Sequence, residues 1–299
     1  MIETKNLVKK FGSFTALDAV NLKIEPGSVF GLVGSNGSGK STLLRTAAGI
    51  YRPDGGELLI DGETPLDNSR LKERIFFLSD TPCFFHQANL LEMAAFYSKM
   101  YSRFCYENFN YLTTVFPIST KARIQTMSKG MQRQAALMLA LSVQPDYLFM
   151  DEAFDGLDPV IRGVLKRLLA SGISERNMTV VIASHNLREL EDMCDHVGLL
   201  HKGKIIFNDE LDNLKNHLHK VQLAFSGEID RSAFDGLDVL KAERQGSLIQ
   251  LIIRGEEEDI LRRLRALNPL FMETLSPTLE ELFIFELEVA GYDVQNIIG

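Results

Sequence analysis

The sequence predicts an α/β core with three additions: an N-terminal antiparallel β subdomain, an inserted helical subdomain and a small α+β accessory domain at the C-terminus. Three observations predict this fold class. Apolar runs at 28–33, 147–150 and 178–183 alternate with helical patterns, as in a sheet covered by helices. Helical periodicity dominates residues 83–145. Beyond about residue 211 the pattern changes, so we divide the chain into residues 1–210 and 211–299.

The alternation of apolar and polar residues in the N-terminal segment predicts short strands over residues 2–31. This alternation is interrupted by Gly12 and by the turn Glu25-Pro26-Gly27. In the helical segment, Asn89 is a predicted N-cap for a helix that begins at Leu90. Residues 146–210 return to strand–helix alternation and end in a predicted hairpin at Lys202-Gly203.

The pattern of the C-terminal segment predicts a separate unit that contains both strands and helices. Residues 221–226 and 248–253 have the composition of strands, and residues 256–267 have the pattern of an amphipathic helix. Ser276 or Thr278 is a candidate cap for a further helix. Nothing in this segment indicates catalysis.

Residues 34–42 carry the most specific signal in the chain. They read Gly-Ser-Asn-Gly-Ser-Gly-Lys-Ser-Thr and fit the phosphate-binding pattern G-x-x-x-x-G-K-[ST]. A predicted strand precedes the loop and a predicted helix follows it, which is the context that phosphate binding requires. Loop N–H groups and the helix N-terminus favour an anion there. Lys40 is placed to reach the β- and γ-phosphates of a nucleotide, and Ser41 to ligate Mg²⁺.

A second group of polar residues follows a buried strand. The run 147–150 is apolar and ends in Asp151 and Glu152. Such a strand end places Asp151 beside the Mg²⁺ shell and Glu152 where it polarises an attacking water. A surface role for Glu152 is the alternative, but its position after four apolar residues favours catalysis.

Five motifs occur in one order and at plausible spacings. After the phosphate loop come the segment 127–134 (Met-Ser-Lys-Gly-Met-Gln-Arg-Gln), the strand 147–152, the segment 155–158 (Asp-Gly-Leu-Asp), and a strand 178–184 that ends at His185. This order resembles the ATP-binding subunit of ABC transporters over roughly residues 1–210. The resemblance implies a P-loop NTPase core that binds ATP with Mg²⁺ and hydrolyses the ATP.

The resemblance also implies roles for individual residues. Residues 34–42 are similar to the Walker A loop, 147–152 to the Walker B strand, 128–130 to the signature, 156–158 to the D-loop, and His185 to the switch histidine. The implied catalytic residues are Glu152 and His185. The implied metal ligands are Ser41 and Asp151. The implied ATP contacts are Phe11, Gly34, Ser35, Asn36, Gly37, Ser38, Gly39, Lys40, Ser41, Thr42, Ser128, Gly130 and Asp158.

Three of these implied contacts have particular features. In this family ATP is held between two subunits, so Ser128 and Gly130 are expected to act on the partner's nucleotide; helix capping is their alternative role. Phe11 stands where the family stacks an aromatic ring on adenine, and a core phenylalanine is the alternative.

The sequence departs from the family's pattern most clearly in the segment 74–82. The family has a glutamine in this segment, and Asp80 falls closest to its place. We expect Asp80 to act as a further metal-side ligand, directly or through water. Met127, Lys129 and Met131 also replace residues of the family's signature, and Ala153 replaces a proline.

Composition is consistent with these expectations. The chain has 299 residues and a net charge of −8, of which residues 211–299 contribute −7 (16 Asp and Glu against 9 Lys and Arg). An acidic C-terminal segment argues against nucleic acid as a partner. No apolar stretch approaches the ~20 residues that span a bilayer, and Cys83, Cys105 and Cys194 are scattered. Scattered cysteines favour the cytoplasm, and the resemblance implies that the protein is bound to the inner membrane face through a separate transmembrane permease subunit.

Three functions remain open from the sequence. The first is an ATPase subunit that dimerises with a second such subunit on ATP and drives the permease, with an exporter favoured over an importer. The second is a non-transport ATPase of the same family. The third is a regulatory subunit that binds ATP but hydrolyses it weakly, which the missing glutamine favours and Glu152 with His185 oppose.

Overall fold

The computed structural model describes residues 1–289 apart from His217 and Glu228. The chain divides into two compact units, with the division between Asn208 and Asp209. The strands, in chain order, are β1 (Ile2–Phe11), β2 (Phe14–Ile24), β3 (Val29–Val33), β4 (Gly55–Ile60), β5 (Ile75–Leu78), β6 (Tyr147–Asp151), β7 (Thr179–Ser184), β8 (His196–His201), β9 (Lys204–Glu210), β10 (Leu218–Ala224), β11 (Asp238–Gln245), β12 (Leu248–Arg254) and β13 (Phe271–Leu275).

The helices are named in the same way. They are α1 (Lys40–Ala47), α2 (Ser69–Lys72), α3 (Leu90–Met100), α4 (Tyr106–Val115), α5 (Lys129–Ser142), α6 (Pro159–Arg176), α7 (Leu187–Glu191), α8 (Leu211–Asn216), α9 (Glu257–Ala266) and α10 (Leu279–Val289). Short 3₁₀ turns lie at Ile124–Thr126 and Arg231–Phe234.

The N-terminal segment folds into the predicted antiparallel sheet, with strand order β2-β1-β4. Gly12, at a φ of 60°, lies in the turn between β1 and β2 and places Phe11 opposite Phe14. The apolar side chains of β2 alternate with polar ones, and the buried set includes Leu17, Val20 and Leu22. One face of this sheet therefore packs on the core of the first unit.

A six-stranded sheet forms the centre of the first unit, in the order β5-β6-β7-β3-β8-β9. The pairs β5–β6, β6–β7, β7–β3 and β3–β8 are parallel. Strands β3, β6 and β7 are buried at every position, as expected for a parallel sheet covered on both faces. The α/β core is thus confirmed, and the carboxyl ends of β3, β6 and β7 lie side by side.

The predicted helical segment contains α3, α4 and α5 between strands β5 and β6. Asn89 caps α3 as predicted: its side chain accepts a hydrogen bond from the Glu92 N–H, and the Glu92 carboxylate accepts one from the Asn89 N–H. Helix α5 is buried over most of its length and contacts both α3 and α4. It carries the segment 127–134 at its N-terminus and so connects the helical segment to the core.

The second unit contains an antiparallel sheet in the order β11-β12-β10-β13. Apolar residues of β10 and β12 form a separate core with two residues of α9, Ile260 and Leu264. Thr278 rather than Ser276 caps α10, through its hydroxyl and the Glu281 N–H. Lys220 of β10 forms a 2.7 Å ion pair with Glu281, which joins α10 to the sheet. Sequence analysis did not identify β11 and β13.

None of the helices in the described part of the chain is both long enough and apolar enough to cross a membrane.

Candidate functional site

The loop at residues 34–39 connects β3 to α1 and requires glycine for steric reasons. A Cβ atom at Gly34 would lie 2.2 Å from the Leu200 carbonyl oxygen, and one at Gly39 would lie 2.5 Å from the Ala16 carbonyl oxygen. Gly37 and Gly39 also adopt φ values of 80° and 112°, which favour glycine. The loop is therefore packed tightly against its neighbours. It leads directly into the N-terminus of α1.

Lys40 is the first residue of α1, and its side chain is 5% exposed. The ammonium donates hydrogen bonds to the carbonyl oxygens of Gly34 (2.6 Å) and Ser35 (3.3 Å). It also lies 3.6 Å from Glu152 Oε1. Burial lowers the pKa of Lys40, while the charges of Glu152 and Asp151 act in the opposite direction. The lysine thus folds back onto its own loop and links that loop to the end of β6.

Ser41 and Asp151 lie together at the ends of neighbouring elements. The Ser41 hydroxyl donates a 2.9 Å hydrogen bond to Asp151 Oδ1, whereas Asp151 Oδ2 is buried and has no hydrogen-bond partner among the described residues. Burial raises the pKa of the Asp151 carboxyl, and the Ser41 hydrogen bond partly opposes this shift. A hydroxyl beside an unpaired buried carboxylate oxygen fits Mg²⁺, a hard cation that prefers oxygen ligands.

Glu152 follows directly and has a left-handed backbone, with a φ of 48°. Its N–H donates a 2.9 Å hydrogen bond to the carbonyl oxygen of Ala183 in β7. Its Oε2 lies 2.9 Å from His185 Nδ1 and accepts a 3.4 Å hydrogen bond from the His185 N–H. The Glu152 carboxylate is therefore held between Lys40 on one oxygen and His185 on the other. This arrangement places a fixed base next to the phosphate loop.

A cavity of about 370 Å³ opens beside these groups. Its lining consists of Phe11, Phe14, Ala16, Asn36, Gly37, Ser38, Gly39, Lys40, Ser41, Thr42, Asp80 and Glu152. Phe11 is 45% exposed, which argues against the core role considered for it, and its ring packs edge-on against Tyr51. The lining thus combines an exposed aromatic ring with the phosphate loop, a combination that suits a nucleotide.

Phe14 is a lining residue that sequence analysis missed. It is 60% exposed and lies opposite Phe11 across the β1–β2 hairpin. The sequence did carry a signal: two phenylalanines flank the turn at Gly12, and a two-residue hairpin pairs them. The cavity lining therefore contains two aromatic side chains, whereas sequence analysis had identified only Phe11.

The segment after β5 places Asp80 in the same cavity. Asp80 Oδ1 accepts a 2.8 Å hydrogen bond from Ser79 and lies 3.8 Å from Arg45 of α1. Arg133 of α5 was not anticipated: it donates hydrogen bonds to the main-chain carbonyls of Asp80 (2.8 Å) and Asp155. One guanidinium thus fixes the chain after β5 and the chain after β6.

Five of the predicted nucleotide contacts are absent from the lining that the described residues form. Gly34 and Ser35 belong to the phosphate loop, where their carbonyl oxygens accept hydrogen bonds from Lys40, whereas Ser128, Gly130 and Asp158 lie in later segments of the chain. Ser128 caps α5 through the Met131 N–H, and Asp158 caps α6 through the Val160 and Ile161 N–H groups. Both residues therefore have capping roles within this chain.

Positions 130 and 129 differ in the size of side chain that they accommodate. A Cβ atom at Gly130 would lie 2.7 Å from the Gly156 carbonyl oxygen, so a glycine is required there. Lys129 begins α5 with an exposed side chain. This difference explains why a larger residue is accommodated at 129 but not at 130.

Comparison with known proteins agrees with this geometry. A family model described as "ABC transporter" matches residues 17–155. The ABC transporter ATP-binding protein YtrB of Bacillus subtilis is 30% identical over 95% of this chain and 97% of its own length. The bacitracin transport ATP-binding protein BcrA of Bacillus licheniformis is 32% identical over 74% of this chain and 73% of its own.

Solved structures show the same fold. The ATP-binding subunit of an ABC transporter superposes with a TM-score of 0.67 at 23% identity, covering 72% of this chain and 92% of that chain. A dimeric ATP-binding cassette in a post-hydrolysis state, bound to ADP and Pi, superposes with a TM-score of 0.63 at 22% identity, covering 71% and 99%. The first unit therefore has the fold of a P-loop NTPase cassette.

The phosphate loop, the buried Ser41–Asp151 pair and the near full-length match to a curated relative all agree, and the chain therefore belongs to the family of ABC transporter ATP-binding proteins.

Proposed function

We propose that this protein binds ATP with Mg²⁺, dimerises around the nucleotide and hydrolyses it to drive a separate transmembrane permease. The observation that carries the proposal is one cavity lined by Lys40, Ser41 and Glu152, with the buried Asp151 hydrogen-bonded to Ser41. Lys40 offers a cation to the phosphates, Ser41 and Asp151 offer oxygen ligands to a metal, and Glu152 offers a base to the attacking water.

The residues of this chain would act in sequence. Ser41 and Asp151 Oδ2 would hold Mg²⁺, which supplies positive charge to the phosphates. Lys40 would exchange its contacts with Gly34 and Glu152 for phosphate oxygens. Glu152 Oε1 would then be free to accept a proton from the attacking water, while His185 keeps the carboxylate in position.

The role of the signature residues depends on a second subunit. Ser128, Gly130 and Asp158 lie outside the cavity of their own chain, so we propose that they contact the nucleotide of the partner subunit. The N-terminus of α5 would then face the γ-phosphate, where the partial positive charge of a helix end is favourable. The dimeric cassette structure that shares this fold supports this proposal.

We propose export as the direction of transport. The proposal rests on the compounds for which two relatives are named, since antibiotics and drugs are compounds that a cell expels: the bacitracin transport protein BcrA, and the probable multidrug protein YbhF of Escherichia coli, which is 31% identical over 72% of this chain. The sulfate/thiosulfate import protein CysA of Bradyrhizobium diazoefficiens, 33% identical over 68% of the chain, represents the alternative. Co-reconstitution with the permease and measurement of substrate flux in both directions tests the proposal.

A regulatory subunit with weak hydrolysis is the second candidate. The observation that favours it is Asp80, a carboxylate in the cavity where the family has a glutamine. Against it stands the intact contact between Glu152 and His185. Turnover measured on the purified protein with MgATP separates the two candidates.

Replacing Lys40 with alanine should abolish ATP binding. The phosphates would lose hydrogen bonds to a charged donor, each worth about 1.5–3 kcal/mol, so the Kd should rise at least about 100-fold. Isothermal calorimetry with ATP measures this change. Lys166→Ala removes an exposed lysine from α6 and serves as the matched control. A Lys40→Ala protein that is folded by circular dichroism and binds ATP with unchanged affinity would place the site elsewhere.

Replacing Glu152 with glutamine should preserve ATP binding and slow hydrolysis by about 10²–10⁴-fold, because a positioned general base is lost. The amide keeps the size of the side chain and a hydrogen bond to His185. The variant should therefore accumulate as an ATP-bound dimer on size-exclusion chromatography in MgATP. Glu57→Gln, on the exposed part of β4, is the control. Turnover at the wild-type rate would assign the base to another residue.

Replacing Asp80 with alanine should raise the Mg²⁺ concentration needed for ATPase activity, because we propose that its carboxylate is a metal-side ligand. Metal-free nucleotide binding should change little. The segment itself should stay in place, since Arg133 holds the Asp80 main-chain carbonyl rather than its side chain. Asp80→Gln should restore activity. A Mg²⁺ titration of ATPase rate measures both variants, and identical curves for Asp80→Ala and wild type refute the role.

A further inference from the structure

Three metal-ligating side chains meet beside the proposed catalytic base. Glu152, Asp155 and His185 each offer one ligand atom, and these atoms all lie within 4.8 Å of one another. Within the described part of the chain, this is the only such group of three histidine, cysteine or acidic side chains. Asp155 lies in the connection between β6 and α6, and His185 directly follows β7. The cluster is therefore built at the same sheet edge as the nucleotide site.

We propose that Glu152, Asp155 and His185 form a second divalent-cation site, selective for a borderline transition metal such as Zn²⁺. One imidazole nitrogen and two carboxylate oxygens are the donors that Zn²⁺ accepts when three protein groups leave one position open. Mg²⁺ prefers oxygen ligands alone, which suits Ser41 and Asp151 better. The two sites therefore differ in donor chemistry as well as in position.

The geometry requires only a small movement. Zn²⁺ binds nitrogen and oxygen at about 2.0–2.2 Å, so ligand atoms in a tetrahedral site are about 3.4 Å apart. Glu152 Oε2 and His185 Nδ1 already lie 2.9 Å apart. The Asp155 side chain is half-buried and makes no hydrogen bond or ion pair with any residue that the structure describes, so it is free to rotate inward.

The main chain and the charges around the cluster favour an ion. Arg133 fixes the carbonyl of Asp155, so the loop that carries the ligand is anchored. Lys40 contacts Glu152 through Oε1, whereas Oε2 contacts His185, and an ion between Oε2 and Nδ1 would replace the contact between the two side chains. A divalent ion would also relieve the repulsion between two close carboxylates. His185 is 49% exposed, which gives the ion access from solvent.

The consequence for activity rests on the proposed function, whereas binding of the ion does not. An ion on Oε2 and Nδ1 would draw charge from the Glu152 carboxylate, making Oε1 a weaker base, and would occupy the His185 nitrogen that holds the carboxylate in position. Zn²⁺ should then inhibit the ATPase even when Mg²⁺ is saturating.

The direct test is calorimetric titration of Zn²⁺ into the nucleotide-free, full-length protein. We expect one Zn²⁺ per chain, and Asp155→Asn should weaken binding at least about tenfold, since even outer-shell substitutions cost about 10–100-fold in metal affinity. Asp155→Ser provides a second variant should the amide disturb folding, which thermal melting detects. Asp67→Asn removes an exposed carboxylate outside the cluster and should leave the affinity unchanged.

Either of two results overturns the site: no Zn²⁺ binding to the wild type, or equal affinity in wild type, Asp155→Asn and Asp155→Ser. Equal affinity would assign the ion to another place, such as the exposed Cys83 thiol. A separate ATPase assay distinguishes failure of the Zn²⁺ site from failure of the proposed function. Zn²⁺ binding that depends on Asp155 but leaves turnover unaffected would support the site and count against the roles proposed for Glu152 and His185.

Discussion

The buried ammonium of Lys40 is the interaction on which the rest of the site depends. A charge that is 5% exposed is costly unless it is paired, and its lowered pKa reflects that cost. The Gly34 carbonyl and the Glu152 carboxylate compensate for it in the nucleotide-free protein. The same contacts join the phosphate loop to the end of β6. Phosphate oxygens would offer the ammonium stronger partners, so nucleotide binding and release of Glu152 would be coupled through one side chain under the proposed function.

The order of the central sheet provides the second constraint. Because β6, β7 and β3 are adjacent and parallel, their carboxyl ends bring Asp151, His185 and the phosphate loop to one edge. The site is therefore assembled from segments more than a hundred residues apart, held by hydrogen bonds between strands. Arg133 extends this arrangement into the helical segment, since it bonds the chains that follow β5 and β6. Movement of α5 would thus be transmitted to both connections.

Much of the fold and of the candidate site could be predicted from the sequence, because the strongest sequence signals are local. The phosphate loop, the strand before Asp151 and the cap at Asn89 depend on neighbours within a few residues. Strand β11 was missed because its alternation is obscured by charged residues along an edge strand, and β13 because it is short and largely exposed. The contacts of Arg133 were missed because they join main-chain carbonyls 53 and 22 residues away, which no local pattern encodes.

Nucleotide binding should make Lys40 exchange its loop carbonyls for phosphate oxygens. A crystal structure with Mg²⁺ and a non-hydrolysable ATP analogue would reveal this exchange. We expect Lys40 Nζ within about 2.7–2.9 Å of the β- or γ-phosphate oxygens and away from the Gly34 carbonyl, with Asp151 Oδ2 bound to Mg²⁺ directly or through water. An analogue bound elsewhere, or one bound here while Lys40 still contacts Gly34, would contradict this expectation.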